Sequence, residues 1–136
     1  LDEVLQRVAR YFGLLAEPMR LRIIQLICDS EQSVGEIVAA TGANQANVSR
    51  HLSLLYGAGV VARRKVGNFV YYSVSDQVLT ELCRTACNRM ITLSEDDTEN
   101  NQSAIALASR FDSQNELIDA ESKPSRQKKG TSPRKK

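Results

Sequence analysis

Between Gly42 and Gly59 the chain runs Gly42-Ala43-Asn44-Gln45-Ala46-Asn47-Val48-Ser49-Arg50-His51-Leu52-Ser53-Leu54-Leu55-Tyr56-Gly57-Ala58-Gly59, and this segment constrains everything around it. Asn44 is suited to cap a helix, because its side-chain oxygen accepts from a free amide of the first turn. Behind it Val48, Leu52 and Leu55 recur at i, i+4 and i+7, the apolar stripe of a helix with one buried face, until Gly57 and Gly59 stop it. Upstream, Ser33 and Glu36 have the spacing of a capping box, which predicts a helix from about Val34 to Thr41. Gly42 supplies the positive backbone angle that ends it. Two helices joined by the short Gly42-Ala43 turn make a helix-turn-helix.

Beyond Gly59 the period changes. Val60–Val66 and Phe69–Val74 are β-branched and aromatic runs on either side of Gly67-Asn68, and they predict a β-hairpin with Gly67 at the positive-angle position of the turn. A hairpin directly after the second helix of a helix-turn-helix is a wing. Leu79, Leu82, Cys83, Ala86, Met90 and Leu93 then give an amphipathic helix from about Asp76 to Leu93. Ahead of the helix-turn-helix, Leu1, Val4, Leu5, Val8, Phe12 and Leu15 share one helical face. Ala16-Glu17 interrupts, and Pro18 opens a second helix expected to bury Leu21, Ile24 and Ile27 or Cys28. The predicted fold is mainly α with a small β-hairpin, a winged helix-turn-helix, and it occupies residues 1–93.

Residues 94–136 differ in kind. Residues 1–93 hold 10 Lys/Arg against 8 Asp/Glu, residues 94–121 one Arg against 8 acids, and residues 122–136 7 Lys/Arg and no acid. An acidic block followed by a basic one is the composition of a solvated, disordered tail. Ile105, Leu107, Ala108, Phe111 and Leu117 nevertheless have the spacing of one further, weak helix. The basic stretch from Lys123 to Lys136 would add phosphate affinity that the acidic stretch masks.

The formal net charge of +2 averages these regions and excludes little, whereas 42% hydrophobic residues in a chain of 136 suffices for one core. No apolar run approaches the roughly 20 residues that span a bilayer, and no export leader is visible. The expectation is a cytoplasmic protein without membrane contact. Three cysteines in that compartment point to reduced thiols, not to a disulfide framework.

With Val48, Leu52 and Leu55 turned inward, Gln45, Asn47, Ser49, Arg50 and Ser53 are left on outward or flanking faces of the second helix. In a helix-turn-helix that helix enters the major groove of double-stranded DNA. Gln and Asn pair bidentately with adenine, Arg with guanine, and hydroxyls with bases or phosphates. The wing adds Arg63, Arg64, Lys65 and Asn68 as phosphate or minor-groove contacts, although strand alternation keeps the three cations from sharing one face. His51, the only histidine, is read either as a DNA contact or as a structural residue at the core boundary. A metal-ligand role is disfavoured, because it lacks neighbouring ligands.

These residues, together with Leu14-Leu15-Ala16-Glu17-Pro18-Met19-Arg20-Leu21-Arg22-Ile23-Ile24, Gly57-Ala58-Gly59-Val60-Val61 and Tyr71-Tyr72, resemble the ArsR/SmtB family of bacterial repressors over roughly Val4 to Leu93. The resemblance implies a homodimer joined through the first and last helices. It also implies recognition helices in successive major grooves of an imperfect operator palindrome and an inducer that releases the DNA. Two of the family's sensor sites do not transfer. Ser33-Val34-Gly35 stands where metalloid sensors carry Cys-x-Cys, and Asp76 is followed by Val78 and no later histidine where zinc sensors carry Asp and His pairs.

The remaining candidates for inducer sensing are Cys28, near the end of the second helix, and Cys83 and Cys87 on the last. Positions i and i+4 share a helical face, so Cys83 and Cys87 lie near one another, although a disulfide between them requires backbone adjustment. Three readings stand. Persulfide or redox chemistry pairs Cys28 with Cys83 or Cys87, as in sulfide- and redox-responsive relatives that the chain resembles with each cysteine displaced by about one turn. Three thiolates, with Cys28 from either subunit, bind As(III) or Sb(III) as an inducer and the sole metal-like ligand; no other cofactor is expected. The third reading makes all three small buried hydrophobes. Arg84 is placed to promote a thiolate.

Catalysis is not expected: there is no Gly-rich phosphate loop, no Ser/His/Asp set and no acidic cluster for Mg²⁺. A thiol oxidoreductase would carry Cys-x-x-Cys after a strand, whereas Cys83 and Cys87 lie within a helix. A winged helix used for protein interaction or RNA binding is the other class to weigh, and its expected sign, a recognition helix without basic and amide groups, is missing.

Overall fold

The computed structural model describes residues 1–93 and 102–112. Helix α1 (Asp2–Leu15) gives way to α2 (Pro18–Ile27), where Pro18 lies in the first turn and the Glu17 carboxylate accepts from the Arg20 amide at 2.9 Å. A two-residue strand β1 (Gln32–Ser33) leads directly into α3 (Val34–Thr41). The capping box is formed in both directions, Ser33 N donating to Glu36 Oε2 at 2.7 Å and Glu36 N to Ser33 Oγ at 3.3 Å. Gly42, at φ 70°, ends α3, and Asn44 Oδ1 accepts from the Asn47 amide at 2.8 Å to start α4 (Gln45–Gly57).

The wing is β2 (Val61–Val66) and β3 (Phe69–Val74), paired in antiparallel register from Val61–Val74 to Val66–Phe69. That register leaves Gly67 and Asn68 as the two turn residues. Gly67 alone has a positive φ, 59°, as a two-residue turn with glycine first requires. The sequence predicts only this hairpin; β1 makes it a three-stranded sheet of order β1-β3-β2, with Gln32 opposite Tyr72 and Ser33 opposite Tyr71. A two-residue strand carries no alternating pattern to read.

Helix α5 (Gln77–Leu93) is capped by Asp76, whose Oδ1 accepts from the Val78 amide at 3.0 Å. The core joins Ile23, Ile24, Ile27 and Cys28 of α2 and its C-cap to Ile37, to Val48, Leu52 and Leu55 of α4, to Tyr72, and to Leu79 and Cys83 of α5. Leu21 is an exception to the expected pattern. The buried stripe of α2 runs through Ile23, Ile24 and Ile27, which leaves Leu21 40% exposed.

A further helix, α6, spans 102–112, and its Ala108 and Phe111 are buried. In the stretch assigned from composition to a tail, residues 102–112 are thus docked, because the spacing of Leu107, Ala108 and Phe111 gives them an apolar face that the core accepts. Leu117 and the basic stretch from Lys123 to Lys136 lie outside the described residues. Among the described residues no helix is long and apolar enough to cross a membrane.

Candidate functional site

Helix α4 divides its side chains as its sequence dictates. Val48, Leu52 and Leu55 are fully buried and fix the helix against the core, while Gln45, Arg50 and Ser53 are exposed and Asn47 and Ser49 half-exposed. Arg50 donates to Asn47 Oδ1 at 3.2 Å, which aligns a guanidinium with an amide on the same outer surface. Five hydrogen-bonding side chains are therefore left on the outward and flanking faces of a helix held by three apolar ones, the arrangement that major-groove recognition needs.

His51 departs from that surface. It is only 4% exposed, and its Nδ1 lies 3.8 Å from Glu17 Oε2 with no hydrogen-bond partner among the described residues. A buried imidazole presents no edge to a base, so the structural alternative holds and the reading of His51 as a direct DNA contact is corrected. Its helical position, one residue before Leu52, turns it toward α2.

The register sorts the wing cations. Arg63 and Lys65 share the face of Val61, whereas Arg64 is on the opposite one. Arg63 packs its guanidinium 4.1 Å from the centre of the Tyr56 ring, at the end of α4. Arg64 is paired with Glu31 and lies 5.8 Å over Tyr71, and this partner holds the Glu31 carboxyl below its usual range. Lys65 and Asn68 are exposed, and Lys65 has no ion pair among the described residues. The three consecutive cations thus have three different surroundings.

The thiols lie in and against the core, not on the polar surface of α4. Cys28 and Cys83 belong to one buried cluster, and half-buried Cys87 packs against it. Burial, with the Asp29 carboxylate beside it, pushes Cys28 up to about 12. Burial pushes Cys83 up to about 11 and raises Cys87 as well. Arg84, expected to favour a thiolate, is instead paired with Asp112 of α6 at 3.4 Å. Cys83, Cys87, Phe12, Leu107 and Phe111 line a groove of about 500 Å³ between α1, α5 and α6. Among the described residues no three Cys, His, Asp or Glu side chains are grouped as a metal ion requires. Asp76, the remaining trace of a zinc-type site, is occupied by the α5 amides and by Tyr11.

A helix-turn-helix with a wing and a polar recognition surface defines a winged-helix regulator. The family model described as "Bacterial regulatory protein, arsR family" matches residues 17–63. The uncharacterized HTH-type transcriptional regulator Rv0081 of Mycobacterium tuberculosis is 39% identical over 79 residues, 57% of this chain and 69% of that protein. Its crystal structure superposes with a TM-score of 0.63 at 34% identity, covering 68% of this chain and 94% of that one. The chain belongs to the ArsR family. It is also 40% identical over 78 residues to the probable mercury resistance operon repressor of Streptomyces lividans, covering 57% of this chain and 62% of that protein. The domain of Mb0332 from Mycobacterium bovis, described as a homodimeric winged helix-turn-helix DNA-binding domain, matches with a TM-score of 0.58 at 29% identity, over 71% of this chain and 87% of that one.

Proposed function

We propose that this protein is a homodimeric transcriptional repressor that binds operator DNA through α4 and the wing. The observation that carries the reading is the division of α4, in which Gln45, Asn47, Ser49, Arg50 and Ser53 form an outward polar surface over a fully buried Val48, Leu52 and Leu55. Lys65 and Asn68 extend it to the wing tip, with Arg63 and Arg64 as the flanking, already partnered cations. The dimer interface is assigned to α1 and α5. Leu1, Val4, Leu5, Val8 and Phe12 just ahead of and on α1 are each 43% exposed or more, as are Val78, Met90 and Leu93 of α5, a combined apolar surface that a second copy would cover.

Release from DNA is assigned to the thiols. Cys28 and Cys83 belong to one buried cluster with Cys87 packed against it, and closing a disulfide between Cys28 and one of the α5 thiols is a two-electron oxidation in which an organic persulfide leaves as thiol and sulfide. The competing As(III) or Sb(III) reading requires Cys28 of a second subunit or a rearrangement, because no three-ligand group is present among the described residues. Fluorescence anisotropy on a fragment of the protein's own promoter separates these. Release by persulfide that is lost on Cys28→Ser or Cys83→Ser supports the first, and release by arsenite requiring all three cysteines supports the second. A wild-type protein that binds the fragment no better than random DNA overturns the operator reading.

A further inference from the structure

Cys83 and Cys87 both line the groove between α1, α5 and α6, whereas Cys28 does not and is fully buried. At about 500 Å³ the groove falls within the roughly 300–1,000 Å³ of sites that take small molecules. Its walls are apolar: Phe12 and Leu15 of α1, Leu21 of α2, Leu82 of α5, and Leu107 and Phe111 of α6. Thr85 and Arg89, both exposed, are the polar side chains of the lining. Phe12 and Leu21 are 54% and 40% exposed and stand outside the core, and both border this groove. Helix α6 is held as one wall by the pairs Arg84–Asp112 at 3.4 Å and Arg110–Asp29 at 3.3 Å.

We infer that this groove seats the sulfur donor and selects it by an uncharged apolar body, so that the inducer is an alkyl or aryl persulfide, R-S-SH, and not an inorganic polysulfide or a charged peptide persulfide. The inference rests on the reading that persulfide releases the DNA through the thiols. A donor that enters the groove leaves its water behind. An apolar R group gains from that in proportion to the area it buries, whereas a carboxylate or ammonium group is penalised. Cys87, half-buried where Cys83 is 7% exposed, is the thiol open to a seated donor. Its sulfur attacks the outer sulfur of the donor, the S-S bond of the donor breaks, and R-SH leaves with the thiol proton. Cys28, in the cluster against which Cys87 packs, closes the disulfide and expels the transferred sulfur as hydrogen sulfide. The two thiols lose two electrons, and the transferred sulfur gains them. A second copy of the chain is the competing occupant. Of the residues assigned to the dimer interface, however, the lining includes Phe12 but not Val4, Val8, Val78 or Met90.

The test mixes full-length protein with ethyl, butyl and hexyl persulfide and with glutathione persulfide, which is charged at both ends. Sulfur transfer to Cys87 is followed by mass spectrometry, each rate being divided by that of the same donor with N-acetylcysteine. The relative rate should rise about two- to fourfold for each added methylene. Glutathione persulfide should lie about tenfold or more below the hexyl donor. Leu21→Gln and Ala86→Phe, both at exposed positions of the lining, should each flatten the series, the first by making a wall polar and the second by filling the groove. Methyl thioethers of the same R groups have the shape of the donors and no sulfur to transfer. Amide shifts of residues 82–89 should show them binding in the same order of chain length while sedimentation stays that of the dimer. Rates independent of R, or glutathione persulfide as fast as the hexyl donor, overturn the inference. Thioethers that bind only as the dimer dissociates also overturn it, because a second copy then fills the groove. Should no persulfide modify any thiol, the release reading fails on its own; thioethers that still bind in that order uphold the apolar site, and thioethers that do not bind overturn it.

Discussion

Tyr11 on α1 donates its hydroxyl proton to Asp76 Oδ2 at 2.8 Å, while the other oxygen of that carboxylate caps α5. One side chain therefore joins the two helices assigned to the dimer interface. Burial, then the hydrogen bond to Asp76, pushes the phenol well above its ordinary value, so the bond persists through neutral and mildly alkaline pH. Tyr11→Phe deletes the donor without changing shape. It should cost about 1.5–3 kcal/mol, the range for a bond to a charged acceptor, read as a lower urea midpoint at unchanged slope. It should also weaken self-association in analytical ultracentrifugation. A variant as stable and as dimeric as wild type would mean that the bond contributes only to geometry.

The thiols make a prediction of sign. Each is harder to ionise in the folded chain than the ordinary value of 9.0, with Cys28 at about 12 and Cys83 at about 11. A group whose folded value is raised lends stability that is fully present below its unfolded value and lost as pH climbs through the folded one. Stability should thus fall between about pH 9 and about pH 12, and Cys28→Ser should flatten that loss. At neutral pH iodoacetamide should label Cys87 first, since Cys28 and Cys83 are both buried and mostly un-ionised. Mass spectrometry of quenched samples gives the order directly, and equal rates at all three positions would contradict it.

Much of this architecture is legible before any coordinates. Ser33 and Glu36, Gly42 and Asn44, and Gly67-Asn68 each impose a local backbone geometry, and each boundary they predict lies where the structure places it. The stripe Val48, Leu52 and Leu55 fixes which way α4 faces, and with it the outward polar set. What resists reading depends on distant partners. Whether Arg64 is free or held is decided by Glu31, thirty-three residues away, and whether Arg84 serves a cysteine is decided by Asp112. The burial of His51 depends on α2, because its helical angle lies on the boundary between stripe and surface. The docking of α6 was half visible, since spacing shows an apolar face but not where it finds a partner.

The candidate contacts separate by what they should do to DNA binding. Arg50→Ala removes a side chain on the outward face of α4 and should relax discrimination at one or two operator positions by about 1–3 kcal/mol. Lys65→Ala, on the wing and unpaired among the described residues, should weaken binding evenly across sequences. It should also reduce the slope of log affinity against log salt by about 0.9. Arg64→Ala should change the slope less, because Glu31 already neutralises that cation. Anisotropy titrations over a series of salt concentrations, on operator and on scrambled DNA, distinguish the three. A Lys65→Ala slope equal to that of wild type removes the wing from the phosphate contacts.

Helix α6 should govern access to the thiols. Phe111 is 3% exposed in the same cluster as Cys28 and Cys83, and two ion pairs clamp the helix, Arg110 to Asp29 at 3.3 Å and Arg84 to Asp112 at 3.4 Å. The pairs are partly solvent-exposed, each worth about 1 kcal/mol or less, and salt screens them further. Docking therefore depends chiefly on the apolar face. Phe111→Ala should cost the docking of α6 while the winged-helix core keeps its stripes, since Ile24, Leu52 and Leu55 are fully buried among α2 to α5. The expected result is a Cys28 alkylation rate raised about tenfold or more, because exposure as well as ionisation limits a buried thiol. Cys87, already half-exposed, should change little, and the far-ultraviolet spectrum should lose no more than the signal of one short helix. Reversing the second clamp with Asp112→Arg, which places a guanidinium against Arg84 and leaves Asp29 and Arg110 beside Cys28 unchanged, should act in the same direction and more strongly at low salt. A Cys28 rate unmoved by both variants would show that the α2–α5 core, and not α6, shields the thiol.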